Sequence, residues 1–240
     1  LRLDLGQPPQ RVPVHPGAET LEAVNDKLRQ RQRLRDAGLP MPRFFEVPGS
    51  APPKAGSGRA GAKPEAAAAH SPAAGERSRD KEIPALLHEL GLPAVQKLRF
   101  GGYDGRGVAM VREDASPLPL PGPSMLEAKV DIAREVAVLV ARSASGETAV
   151  YEPVEMEMDP ELHLVRSVFY PATLDPGLAE SARRVAMAAA EALSVVGTCA
   201  VELFVSKDGE VLVNEVAPRP HNSGHLTLEA AETDQFEQHL

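Results

Sequence analysis

The sequence predicts an α+β fold, because helical patterns and hairpin patterns occur in the same chain. Two segments are predicted to be helical, "ETLEAVNDKLRQRQRLRDAGLP" and "DPGLAESARRVAMAAAEALSVVG". Two pairs of apolar segments flank the turn sequences "ASGE" and "DG", which is typical of β-hairpins. Together these patterns favour antiparallel sheets combined with helices.

The first predicted helix has apolar residues at 21, 24, 28 and 34, and Gly38 and Pro40 end it. Residues 48–80 differ in composition, because Val, Ile, Leu, Phe and Tyr are absent from them. A segment with so little apolar surface cannot offset the entropy lost on ordering, so we predict a disordered linker or insertion. The alternative, an alanine-rich helix at 65–70, is too short to be stable alone.

Short strands separated by turns dominate the rest of the chain. A helix at about 82–90 precedes the predicted strand "AVQKL", the glycine-rich loop "RFGGYDGRG" and the strand "VAMV". The strand "MLEAKV", the hairpin strands "REVAVLVARS" and "TAVYEPVEM", and the strand "LHLVRSVFY" follow. The second long helix has Asp175 as its N-cap, Pro176 at its first position and Gly197 beyond its end.

Composition and charge argue against several classes of function. The net charge of the 240 residues is −8, which disfavours a nucleic-acid backbone or an anionic membrane as the main partner. Cys199 is the only cysteine, so neither an internal disulfide nor a cysteine-rich zinc site can form. The apolar stretches are too short to span a membrane, and the N-terminus lacks the apolar core of a signal peptide. We therefore predict a cytoplasmic protein.

The last predicted hairpin places two carboxylates opposite each other. With Asp208-Gly209 as a two-residue turn, three pairs face one another on one side of the hairpin: Glu202 with Glu215, Phe204 with Val213, and Ser206 with Val211. Like charges in direct opposition are destabilising unless water or a cation separates them. The two glutamates therefore either point into solvent or bind a divalent cation such as Mg²⁺. A three-residue turn would shift the pairing and separate them.

The glycine-rich loop is the second candidate site. Its sequence lacks the Gly-Lys-Ser/Thr ending of a P-loop and it precedes a strand, so a Walker-type site is excluded. Glycines between two strands permit a mobile flap whose backbone N–H groups approach phosphate oxygens, and Lys97 on the incoming strand would add a positive charge. The alternative is an ordinary hairpin connection. The acidic pair favours the phosphate-binding interpretation.

Several motifs together resemble a known family. "QKLRFGGYDGRGV", "EAKV" followed by "REVAVLVARS", "VELFV", "NEVAPRPHNSGH" and "QFEQHL" are similar to the 5-(carboxyamino)imidazole ribonucleotide synthases, ATP-grasp enzymes of purine biosynthesis. The resemblance covers residues 12–47 and 82–240. It implies two α+β subdomains with ATP between them, Mg²⁺ on the transferring phosphoryl group, and carboxylation of aminoimidazole ribonucleotide with bicarbonate through carboxyphosphate. It also implies a homodimer.

The resemblance assigns domains and site residues. It implies a remnant N-terminal region at 1–47, the insert at 48–80, a small subdomain at 81–130 and a larger one at 131–240. The implied metal ligands are Glu202 and Glu215. The implied nucleotide-binding residues are Lys27, Lys97, Gly102, Tyr103, Asp104, Gly105, Arg106, Gly107, Val108, Glu127, Ala128, Lys129, Val130, Glu135 (ribose), Asn214 and Glu215. The implied catalytic residues around the imidazole nucleotide and carboxyphosphate are Asp104, Arg106, Arg219, His221, Asn222 and Ser223, with Tyr103 beside them.

Within the last motif, Arg219 offers a fork for an oxyanion, and His221 and Asn222 can hydrogen-bond bicarbonate or the amine. The alternative is that His221 and His225 only cap the following helix. A zinc site is disfavoured, since two histidines four residues apart have no third ligand nearby in sequence.

The sequence also departs from the family. It has no counterpart of the N-terminal nucleotide-fold domain with its "GQLG"-like turn, or of the basic C-terminal segment, so we expect a chain truncated at both ends. Two other functions therefore stay open. One is another ATP-grasp carboxylating or formyl-transferring ligase, which the "PRPHNSGH" stretch disfavours. The other is a catalytically incomplete nucleotide-binding fragment.

Overall fold

The computed structural model describes residues 13–47, 74–101, 107–112, 118–159 and 165–240, apart from the side chains of residues 74–81. The helices are α1 (Ala18–Asn25), α2 (Lys27–Asp36), α3 (Ala74–Leu90), α4 (Pro176–Ala192) and α5 (Thr227–Ala230), with 3₁₀ turns at Asn222–Gly224 and Glu237–His239. The strands are β1 (Phe44–Glu46), β2 (Ala94–Leu98), β3 (Val108–Val111), β4 (Ser124–Ala128), β5 (Ile132–Arg142), β6 (Thr148–Val150), β7 (Val154–Met158), β8 (Val165–Phe169), β9 (Gly197–Ser206) and β10 (Val211–Ala217).

These strands form two antiparallel sheets, as an α+β fold requires. The small sheet has four strands in the order β1-β4-β2-β3. The large sheet has six strands in the order β10-β9-β5-β7-β8, with β6 paired to β5. The chain passes from one sheet to the other between Ala128 and Ile132. Strand β1 precedes residue 48 in sequence but belongs to the small sheet.

Each sheet packs one face against a helix. Apolar residues of α4 cover the large sheet, where Val136, Val201 and Val213 are fully buried. Helix α3 covers the small sheet through Ile83, Leu87 and Leu90. The opposite face of the large sheet has a smaller apolar cluster around Ala137, Val154 and Met156, and Glu202 lies on the same face. None of the described helices is long and apolar enough to cross a membrane.

Two predicted helices have different bounds. The first is broken into α1 and α2 at Asp26, whose φ of −113° and ψ of 104° are extended. The break occurs because Asp26 is bound by a distant residue: its carboxylate caps the Leu28 N–H at 3.1 Å and accepts from Arg99 at 3.0 and 2.6 Å. Helix α3 begins at Ala74 rather than near 82, so residues 74–80 are helical and not part of a disordered insert. Residues 48–73 lie outside the described residues.

The last hairpin has the predicted carboxylate pair but not the predicted turn. Ser206 and Glu210 close a three-residue turn, with N–H to O distances of 2.9 Å for Ser206 to Glu210 and 3.0 Å for Gly209 to Ser206. Gly209 has a φ of +82°, which favours glycine. The predicted Phe204–Val213 and Ser206–Val211 pairs are therefore wrong, and Val213 pairs with Leu203 instead.

A β-bulge between Val213 and Glu215 then restores the register, so Glu215 does pair with Glu202. The prediction that all six side chains share one face is also wrong, because the three-residue turn shifts the register before the bulge. Val211 and Val213 are buried against the α4 side, whereas Glu202 is on the opposite face. The acidic pair thus exists because two deviations from a regular hairpin compensate each other.

Candidate active site

The candidate site lies where the two sheets meet, and α2 contributes to it. Lys97 and Glu127 come from β2 and β4 of the small sheet. Glu202 and Glu215 come from β9 and β10 of the large sheet, and Lys27 is the first residue of α2. Contacts between these residues join the small sheet, the large sheet and α2. The sequence could not show this, because Lys27 and Glu215 lie far apart in it.

Glu202 is the acidic centre of the site. Its Oε2 accepts from Asn214 Nδ2 at 3.1 Å, and its Oε1 lies 3.4 Å from His221 Nε2. Burial and the adjacent charge of Glu215 raise the pKa of Glu202 to about 7, although Lys27 and Asn214 act in the opposite direction. The side chain remains 25% exposed, so an ion can reach it. A neighbouring cation would therefore stabilise the charged form of Glu202.

Glu215 forms an ion pair with Lys27, whose side chain is 14% exposed. Among the described residues, no group of three or more His, Cys, Asp or Glu could hold a metal ion. A cation at Glu202 and Glu215 would thus need further ligands from water and from a bound nucleotide. Hard oxygen donors that leave positions open for water and phosphate are what Mg²⁺ prefers, so the donor set fits this ion.

Lys97 belongs to a buried polar network. Its Nζ lies 2.6 Å from Glu127 Oε2 and 3.1 Å from Asn214 Oδ1. The other oxygen of Glu127 accepts from Arg31 Nε at 2.5 Å. Burial lowers the pKa of Lys97, against the attraction of Glu127. Burial alone would raise the pKa of Glu127, but Arg31 and Lys97 outweigh it and lower that pKa to about 2.

The polar loop after β10 brings His221 to Glu202. His221 Nδ1 accepts from the Ser223 N–H at 3.3 Å and lies 2.9 Å from Ser223 Oγ, so the ring caps the 3₁₀ turn. His221 therefore caps the 3₁₀ turn, as the capping interpretation predicts, and its Nε2 also lies near Glu202. A neutral ring that accepts at Nδ1 carries its proton on Nε2, toward Glu202.

The rest of that loop is less involved. Ser223 is buried beneath His221, whereas Asn222 and Arg219 are exposed, and an Arg219 Nη1 donates to the Pro220 carbonyl at 3.0 Å. His225 lies apart from the acidic pair and packs its ring against Phe236, with centroids 6.1 Å apart.

The remaining predicted residues surround this centre. The charge of Glu135 contributes to the raised pKa of Glu202, and Glu135 borders an open groove of about 420 Å³ that Met156 and Phe169 also line. Ala128, Lys129 and Val130 follow Glu127 at the crossing between the sheets, and Gly107 and Val108 form the base of the glycine loop. The other predicted flap residues lie outside the described residues: Gly102, Tyr103, Asp104, Gly105 and Arg106.

Three buried residues at the site were missed from the sequence: Gln30, Arg31 and Gln235. A signal for the first two was present, because Gln30 and Arg31 lie three and four residues after Lys27 and share its helical face. Gln235 gave no such signal. Its side-chain Oε1 accepts from the His221 N–H at 2.8 Å, and its Nε2 donates to the His221 carbonyl at 3.0 Å.

Replacing Gly224 with alanine is expected to destabilise the protein by about 1–3 kcal/mol, because the added methyl group overpacks the loop. A Cβ there would lie 2.3 Å from Gln235 Oε1 and 2.9 Å from Leu139 Cδ1. Gln235 cannot yield easily, since both its polar atoms hold His221. Denaturant unfolding measures the effect. Gly177→Ala in α4 is the matched control, since nothing lies within 4 Å of its Cβ and stability should not fall.

Comparison with known proteins finds a matching family model and similar sequences. The ATP-grasp domain model matches residues 68–236. The N5-carboxyaminoimidazole ribonucleotide synthase of Bacillus subtilis is 42% identical over 164 residues, which are 66% of this chain and 43% of that protein. The protein of the same name from Mycobacterium bovis is 38% identical over 236 residues, which are 95% of this chain and 48% of that protein.

The fold is also similar to that of a solved structure. The ADP complex of an N5-carboxyaminoimidazole ribonucleotide synthetase superposes with a TM-score of 0.74 at 32% identity, over 93% of this chain and 52% of that one. The chain spans about half the length of the curated relatives it matches. Since the ATP-grasp model covers well over half of the sequence, the chain belongs to the ATP-grasp family.

Proposed function

We propose that this chain carries the ATP-dependent step of the carboxylation of 5-aminoimidazole ribonucleotide to 5-(carboxyamino)imidazole ribonucleotide, in purine biosynthesis. The names of its relatives support this function over that of another ATP-grasp carboxylating or formyl-transferring ligase. The observation that carries the proposal is the contact network of Lys27, Lys97, Asn214, Glu202 and Glu215 between the two sheets.

ATP would lie between the sheets. Glu135 would accept hydrogen bonds from the ribose hydroxyls, and the segment 127–130 would border adenine. Lys27, Lys97 and the backbone of the flap at 102–108 would meet the phosphates, because they supply positive charge and N–H donors there. Glu202 and Glu215 would hold Mg²⁺, which supplies charge neutralisation for phosphoryl transfer.

The reaction would proceed in three balanced steps. A bicarbonate oxygen attacks the γ-phosphorus of ATP and displaces ADP, which gives carboxyphosphate. Carboxyphosphate then breaks into CO₂ and phosphate. The amine nitrogen attacks CO₂ and transfers a proton to the released phosphate, which gives the carbamate.

Residues of the polar loop and the flap would orient these reactants. Arg219 would bind an oxyanion, while His221, Asn222 and Ser223 would position bicarbonate or the amine. Tyr103, Asp104 and Arg106 of the flap would contact the imidazole nucleotide. His221 is already held toward Glu202 by Gln235 and by the Ser223 N–H.

ADP release by the purified chain tests the proposal. Release that depends on bicarbonate and is stimulated by aminoimidazole ribonucleotide would support it. Magnesium-dependent ADP binding without turnover would instead favour nucleotide binding without catalysis as the function of this chain. Stimulation by a different amine substrate would favour another ligase.

Asp104→Ala is expected to lower kcat/KM for aminoimidazole ribonucleotide about 10- to 100-fold, as for a lost hydrogen bond to a charged group, and to weaken ADP binding less. The reason is that Asp104 is proposed to face the ribonucleotide. Steady-state ADP release and calorimetry measure the two quantities, with Asp208→Ala in the exposed turn of the last hairpin as control. Equal losses of both would mean that the flap is only a phosphate lid.

A homodimer and a cytoplasmic location are also part of the proposal. The family resemblance supports the homodimer and the location. Sedimentation velocity of the purified chain tests the assembly, since a monomer at micromolar concentration would contradict it. Fractionation of the source cells tests the location.

A further inference from the structure

The bulge in β10 decides which way Glu215 points. On the turn side of the bulge, Val213 pairs with Leu203, and beyond it Glu215 pairs with Glu202. Without the bulge at Asn214, that first register would continue, and Glu202 would face Asn214. Glu215 would then follow Val213 by two positions and would point toward the α4 side. The bulge is therefore required for the two glutamates to share a face.

Strand β10 is an edge strand of the large sheet, so its backbone groups that point away from β9 have no partner in that sheet, and buried groups of this kind need other partners. Helix α2 supplies them. Gln30 Nε2 donates to the Val216 carbonyl at 3.1 Å, and the Val216 N–H donates to Gln30 Oε1 at 3.1 Å. Arg31 Nη1 donates to the Val213 carbonyl at 2.7 Å. Gln30 and Arg31 are both 2% exposed.

We propose that Gln30 is a positioning residue that fixes the β10 bulge and thereby directs Asn214 and Glu215 into the site. Only an amide side chain offers one donor and one acceptor side by side, so Gln30 binds Val216 as a neighbouring strand would. Its side-chain hydrogen bonds go to the backbone of Val216 and not to a residue assigned to the nucleotide or the metal. Arg31 supports the same bulge but also holds Glu127, so Gln30 is the cleaner residue to change. The inference rests on the proposed nucleotide and metal roles of Asn214 and Glu215.

The test compares Gln30→Met with Gln32→Met, the same change at a half-buried position of the same helix. Amide hydrogen exchange is measured on the ligand-free chain, and the Kd for ADP is measured by calorimetry with Mg²⁺ and with EDTA. For Gln30→Met we expect exchange at Val213–Val216 to accelerate about 10-fold, as for the loss of a hydrogen bond. We expect the Kd for ADP with Mg²⁺ to rise about 10-fold and the Kd in EDTA to change less than about 2-fold. Gln32→Met should change neither.

Unchanged exchange at Val216, or equal weakening of ADP binding with and without Mg²⁺, would overturn the inference. If Gln30→Met does not fold, Gln30→Asn, which shortens the amide by one methylene, is measured in the same way. Wild-type ADP binding that ignores Mg²⁺ would contradict the proposed function instead. In that case the exchange data alone would test whether Gln30 fixes the bulge, and acceleration confined to Val213–Val216 would support that role.

Discussion

Replacing Glu215 with glutamine is expected to weaken magnesium-dependent nucleotide binding about 100-fold while the fold stays intact. The change removes one anionic oxygen from a pair that would share the cation with phosphates and water. The fold should survive because Glu215 is 41% exposed, so its ion pair with Lys27 contributes little to stability. Loss of its charge also removes repulsion from Glu202.

Calorimetric titration with ADP at several magnesium concentrations measures this effect. Glu210→Gln is the matched control, because it removes the same charge from an exposed position in the turn of the same hairpin. Thermal unfolding of both variants checks the fold. If Glu215→Gln retains the magnesium dependence of the wild type, the acidic pair does not bind the ion and the proposed site is wrong.

The second prediction with a large expected effect is that acid lowers the free energy of unfolding through Glu127. Lowering the pH from about 4.5 to about 3 is expected to remove about 2 kcal/mol of unfolding free energy through Glu127 alone. Arg31 and Lys97 hold its pKa at about 2 in the folded protein, below the ordinary value of 4.5. A depressed pKa stabilises the folded state above the unfolded value, and this contribution is lost as pH falls toward the folded value. Between these two pKa values, Glu127 is protonated in the unfolded chain but still charged in the folded protein.

Denaturant unfolding of the wild type and of Glu127→Gln across this pH range isolates the contribution. At neutral pH the variant should be less stable by about 3 kcal/mol, since two buried cations lose their partner. The difference between the two proteins should shrink by about 2 kcal/mol as pH falls to about 3. Glu147→Gln, at an exposed position, should show no such convergence. A difference that does not depend on pH would mean that Glu127 is not the depressed carboxylate.

The acidic pair shows how sequence reasoning can reach a correct result by an incomplete route. A two-residue turn at Asp208-Gly209 predicted that Glu202 faces Glu215. The turn has three residues, which by itself would have separated them, and the bulge at Asn214 brings them back together. No local pattern marks Asn214 as the extra residue, because its bulge depends on partners in α2 that lie far away in sequence.

The sequence by itself determined the α+β class, strands β2 and β3, the helix α4 and the family resemblance. These follow from the period of apolar residues, from turn residues and from motifs, which are all local properties. Only the tertiary structure decided the break at Asp26, the bulge, and the roles of Gln30, Arg31 and Gln235. Each of these depends on a buried polar group finding its partner in a distant segment, as Arg31 does at Glu127, and sequence periodicity carries no information about such partners.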